Sequence, residues 1–77
     1  MAKFPAMKSG ALLAILGREP LNYVEVRRQG SHRRLVADGR PPLVFAFHDG
    51  VEIPPGLVRK ILVKDAGLSE ADALALL

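Results

Sequence analysis

The 77-residue chain has no cysteine, so neither a disulfide framework nor a thiolate metal site can reinforce it. That absence fits a reducing interior, and a cytoplasmic protein is the expectation. No apolar run approaches the roughly 18 residues of a membrane-spanning helix. The opening Met1-Ala2-Lys3-Phe4-Pro5-Ala6 has no long apolar core after its charge and reads poorly as a secretory signal. Acids are missing where bases crowd: positions 27–34 hold four arginines and no Asp or Glu, although the whole chain carries a net charge of only +3. The acids gather instead at Asp49, Glu52 and in residues 65–72. A local basic surface is the electrostatic footprint of a phosphate-binding protein, and equally of a well-solvated hairpin.

A chain this short buries only about 60% of its unfolded surface, so one domain over 1–77 is expected and every apolar stripe should be used. Residues 1–7 show no periodicity and read as a loose arm. Ser9 is suited to cap a helix N-terminus. Ala11, Leu12, Ile15 and Leu16 then repeat at helical spacing, and Gly17 fits the left-handed position past the end, which predicts a helix over 10–16. From Tyr23 the period becomes two, with Val24 and Val26 on one side and Tyr23, Glu25 and Arg27 on the other.

Gly30-Ser31 follows, with glycine at the first central position of a type II′ hairpin turn. A two-residue turn makes Gln29 face His32, Arg27 face Arg34 and Val26 face Leu35. A second strand runs from His32 to Ala37, and Leu43 to His48 forms a third. A turn centred on Arg40, within Asp38-Gly39-Arg40-Pro41-Pro42, pairs residue 37 with 43, 35 with 45 and 32 with 48. This register places Arg27, Gln29, His32, Arg34 and His48 on one face and Val24, Val26, Leu35, Leu43, Phe45 and Phe47 on the other. Pro54-Pro55 opens the next helix, whose stripe is Leu57, Val58, Ile61, Leu62 and Ala66 and which Gly67 ends. Ser69-Glu70-Ala71-Asp72 resembles a capping box and starts a short helix within 69–77 that would use Leu74 and Leu77. The fold class is therefore α+β: a three-stranded antiparallel sheet with helices on one face and an open polar face.

His32 is the candidate for chemistry. Its plain alternative is a polar strand residue facing solvent. Against that, it follows a turn that fixes its backbone, and arginines surround it. Imidazole exchanges a proton near neutral pH, and RNA brings its own nucleophile, the 2′-hydroxyl. His48 beside Asp49 reads as structural or as a second proton-transfer group. A metal held by His32, His48 and Asp49 matches no ligand spacing, and nearby arginines oppose a cation, so no metal and no other cofactor is expected. Arg27, Arg28, Arg33 and Arg34 are either solvating charges or phosphate contacts; like charges facing one another across strands destabilise a sheet and suggest a missing anion. Lys8 precedes a helix N-terminus, where exposed amides favour phosphate. Tyr23, Phe45 and Phe47 read as packing rather than base-stacking platforms.

Lys8-Ser9-Gly10 before a helix, Arg28-Gln29-Gly30-Ser31-His32, Phe47-His48, and the helix Gly56-Leu57-Val58-Arg59-Lys60-Ile61-Leu62 occur in this order within residues 7–68. Together they resemble HicA-type toxins of bacterial toxin–antitoxin pairs. The resemblance implies a double-stranded-RNA-binding-domain-like α-β-β-β-α fold and metal-independent mRNA cleavage dependent on His32. It also implies a HicB-type antitoxin that covers this histidine. RNA contacts are then expected at Lys8, Arg27, Arg28, Gly30, Ser31, Arg33, Arg34 and His48. The chain departs from the family pattern in a longer Arg18–Asn22 loop, in Leu35 where an aromatic is common, and in the acidic tail from Ser69. A non-cleaving RNA-binding module of the same fold, and a protein-interaction domain whose basic face meets an acidic partner, are the alternatives.

Overall fold

The computed structural model describes residues 4–77. Five strands and three helices follow one another as β1 Met7–Lys8, α1 Ser9–Gly17, β2 Val24–Gln29, β3 His32–Ala37, β4 Arg40–Ala46, β5 Glu52–Ile53, α2 Pro55–Arg59 and α3 Glu70–Ala75. α2 continues as a π-helix over Lys60–Asp65. The three-stranded antiparallel sheet has the order β2-β3-β4, with helices on one side, as the sequence predicts. β1 and β5 add a two-stranded sheet that pairs Met7 with Ile53 and Lys8 with Glu52.

This small sheet corrects the reading of residues 1–7 as a loose arm. Residues 1–3 lie outside the described residues, but Phe4 is buried in the core and Met7 packs against it. The same pairing starts α1 one residue early. Lys8 occupies the N-cap position and no side chain caps the helix. Ser9 is buried and its amide donates to the Val51 carbonyl at 3.2 Å. Gly17 remains helical, and the left-handed residue of that loop is Asn22, with φ 55°.

The Gly30-Ser31 turn closes with Gly30 at φ 60°, and Gln29 pairs with His32, Arg28 with Arg33 and Arg27 with Arg34. A type II′ turn needs positive φ at its first central residue, and glycine reaches it without strain. Beyond Arg27 the register shifts: Glu25, not Val26, faces Leu35. Val26 is the extra residue of a β-bulge, and it and Val24 are exposed rather than turned to the core, at 56% and 61%.

The second hairpin is tighter than the proline cluster suggests. Asp38-Gly39 forms the turn, with Gly39 at φ 72°, and Ala37 pairs with Arg40. Asp-Gly is a strong hairpin signal, and the prolines fall on edge strand β4, where missing amide donors are tolerated. The register therefore moves two residues from the expected one: Leu35 faces Leu43, Arg33 faces Phe45 and His32 faces Ala46, not His48. An even slip preserves the faces, so Leu35, Leu43 and Phe45 are all buried.

Against this sheet pack Leu12, Ile15 and Leu16 of α1 and Val58, Ile61 and Leu62 of the second helix. Leu57 stays exposed at 43%. The π geometry carries the Ala66 amide to the Ile61 carbonyl at 2.9 Å, and Gly67 ends the element with φ 79°. α3 is capped by Ser69, whose Oγ accepts from the Asp72 amide at 3.1 Å. Ala73 buries completely and Leu74 partly, whereas Leu77 is exposed and does not join the core. An Arg59–Glu70 ion pair at 3.1 Å ties α2 to α3.

Candidate functional site

The open sheet face is built by the Gly30-Ser31 hairpin. The turn is anchored from the residue just past β4, because the Phe47 amide donates to the Ser31 carbonyl at 2.8 Å. His32 is the first residue of β3, exposed, with Gln29 on one side and Ala46 on the other. One row further along lie Arg27, Arg34 and Val44. Arg27, Gln29, His32, Arg34 and Val44 line a shallow cavity of about 190 Å³. That is small for a drug-sized ligand but of a size for a phosphodiester group. Arg27 and Arg34 face each other directly, and neither has an ion-pair partner among the described residues.

The other two arginines of the run lie on the reverse face of the hairpin. Arg28 faces Arg33, and one carboxylate serves both: Glu25 lies 3.1 Å from Arg28 Nη2 and 3.4 Å from Arg33 Nε. The second contact is a close approach of charges without hydrogen-bond alignment, and Arg33 Nε–H is buried with no hydrogen-bond partner. Arg33 carbon Cζ sits 4.1 Å from the centroid of the Phe47 ring, a cation–π contact. Phe47 in turn meets Phe45 edge-on at 6.4 Å. Arg33, expected among the RNA contacts, is thus held between an aromatic ring and an acid on the helix side.

Lys8 and His48 do not join the cavity either. Lys8 Nζ donates to the Gly50 carbonyl at 3.0 Å. His48 follows β4 and lines a separate cleft of about 280 Å³ with Ser9, Val51, Leu57 and Ile61, among others. Val44 borders both hollows. Sequence reasoning placed Gln29 on this face without counting it among the site residues, and it missed Val44. Gln29 was legible, since the turn dictates its pairing with His32; Val44 depended on the true second register.

Fold and face together define a double-stranded-RNA-binding-domain-like module with a basic, histidine-bearing sheet face. The chain belongs to the HicA toxin family: the family model described as the HicA toxin of bacterial toxin-antitoxin systems matches residues 8–68. It is accordingly the toxin member of such a system. No curated protein and no solved structure matches the chain. Among the described residues no helix is long and apolar enough to cross a membrane.

Proposed function

We propose that this toxin is a metal-independent endoribonuclease acting on mRNA, with His32 as its proton-transfer group. The observation that carries the reading is the cavity in which an exposed imidazole shares a wall with two arginines that have no acidic partner among the described residues. Arg27 and Arg34 would hold a backbone phosphate and offset the charge that builds on its oxygens as the reaction proceeds. Gly30 and Ser31 set the backbone from which His32 projects.

The cavity dictates the chemistry that suits it. Guanidinium stays protonated and an amide does not titrate, so the His32 imidazole is the group lining the cavity with the chemistry of a general acid or base. The RNA 2′-oxygen attacks the adjacent phosphorus, the bond to the 5′-oxygen breaks, and the products are a 2′,3′-cyclic phosphate and a 5′-hydroxyl. His32 either takes the 2′-hydroxyl proton or supplies one to the departing 5′-oxygen, and water serves at the other position. One imidazole and no carboxylate make a poor cation site, which supports a reaction without metal. A HicB-type antitoxin that covers the open face would silence the toxin by excluding RNA from His32, in the cytoplasm where mRNA is found.

General acid–base catalysis contributes about 10²–10⁴-fold, and His32→Ala should lose cleavage by that order while keeping its melting temperature. Expression of parent and variant, with growth and RNA 5′ ends followed after induction, checks this. Equal growth arrest and equal RNA decay would remove His32 from the chemistry. RNA binding without new ends in either protein would make the domain a non-cleaving binder.

A further inference from the structure

Glu25 stands beside the bulge in β2. In a regular strand Glu25 and Arg27, two positions apart, would share a face. The extra residue Val26 puts them on opposite faces: Glu25 pairs with buried Leu35, and Arg27 with Arg34 beside the histidine. Bulges commonly re-aim a side chain in this way next to active sites. The hairpin therefore carries two cross-strand arginine pairs, and their partners differ. Arg28 and Arg33 share the Glu25 carboxylate at 3.1 and 3.4 Å, whereas Arg27 and Arg34 have no acidic partner among the described residues.

We propose that Glu25 is a specificity-determining residue that confines RNA to the histidine face of the hairpin. Without its carboxylate, exposed Arg28 would stand as a further unmatched cation beside Arg33, on the face that His32 does not reach. A strand held there would be bound and not cut. This inference rests on the RNA reading above and adds to it a reason why a run of four arginines presents a single productive face.

Salt dependence counts the cations that grip RNA. For single strands log K falls with log[salt] by about 0.7 per phosphate neutralised. A short single-stranded 2′-O-methyl RNA, which offers no nucleophile, serves as the binding probe, with anisotropy read across a sodium chloride series. The matching unmodified RNA serves for cleavage. The parent should give a slope of about −1.4 for two contacts, and Glu25→Gln, which removes one unit of negative charge, should steepen it toward about −2.1 for three. Glu25→Gln should also bind more tightly at low salt while kcat and KM fall by the same factor, because non-productive binding leaves kcat/KM unchanged. Arg28→Gln in the parent should leave the slope as it is, since that charge is already matched, but in the Glu25→Gln background it should flatten the slope again. This second variant keeps the inference exposed if Glu25→Gln folds poorly.

An unchanged slope in folded Glu25→Gln would overturn the proposal, as would a flattening of about 0.7 in Arg28→Gln alone. Either result in a protein that cleaves RNA would leave the nuclease reading standing. A parent that shows the expected slopes but never yields RNA ends would overturn the nuclease reading and retain the role of Glu25. A parent with no salt-dependent binding would overturn both.

Discussion

The two faces of the Gly30-Ser31 hairpin carry the same pair of residues and put them to different ends. On the helix side Arg28 and Arg33 meet Glu25 and the Phe47 ring. On the open side Arg27 and Arg34 share the cavity with Gln29, His32 and Val44 and have no ion-pair partner among the described residues. Arginine content alone does not separate a structural charge from a binding one; the partner does. Exposed ion pairs contribute roughly 0–1 kcal/mol, so the helix-side set adds little stability. Its effect is to consume charge. The open-side set keeps its charge for a ligand.

That contrast makes substitutions on the two faces fail in different ways. The largest effect belongs to the core beneath the helix side. Phe45 is 2% exposed, and Phe45→Ala should cost about 3–5 kcal/mol, most of the stability of a domain this small. Chemical denaturation would measure it, and cleavage should disappear only as the fold does. A smaller loss follows from Arg33→Leu, which removes the cation–π contact and the Glu25 approach. It should destabilise by about 0.5–2 kcal/mol and leave the salt slope of RNA binding unchanged. Arg27→Gln or Arg34→Gln should do the reverse: an unaltered melting temperature, and a slope flatter by about 0.7 for each. A melting loss in Arg27→Gln or Arg34→Gln, or a slope change in Arg33→Leu, would erase the distinction between the faces.

The smallest effect lies at the end of the sheet remote from the hairpin turn. Tyr23 is buried and its hydroxyl donates to the Pro41 carbonyl at 2.7 Å, so Tyr23→Phe should cost about 0.5–1.5 kcal/mol. Burial raises its pKa from the ordinary 10.0; Arg40 works against that rise and Asp65 with it. A phenol that ionises later in the folded chain than in the unfolded one contributes stability that is complete below pH 10. That stability is lost as pH climbs through the folded value. The parent should therefore lose melting temperature above pH 10, until the folded phenol has ionised, more steeply than Tyr23→Phe. Equal slopes in the alkaline range would place the phenol in water.

Much of this contrast was readable from residue order, because local chemistry dictated it. Glycine at the first turn position set the first hairpin, and with it the Gln29–His32, Arg28–Arg33 and Arg27–Arg34 pairs. The second register lies two residues from the one the sequence suggests, because Pro41-Pro42 reads as part of a loop. On an edge strand they cost no ladder bond, and Asp38-Gly39 alone could close the turn. His48 lost its place beside His32 for that reason. The bulge is hidden because Val24 and Val26 alternate as a buried strand should, yet Glu25 pairs with buried Leu35, which leaves Val24 on the open face and Val26 as the extra residue. Met7–Lys8 and Glu52–Ile53 are too short to carry any period, so their pairing, and the burial of Phe4 with it, left no pattern to read.

The hairpin's division of labour is most directly measured by amide and side-chain NMR of the parent titrated with a 2′-O-methyl RNA strand. Perturbations should concentrate at Arg27, Gln29, His32, Arg34 and Val44, and leave the Arg28 and Arg33 guanidinium signals in place. Perturbations centred on Arg28 and Arg33, or in the cleft between His48 and Leu57, would contradict it.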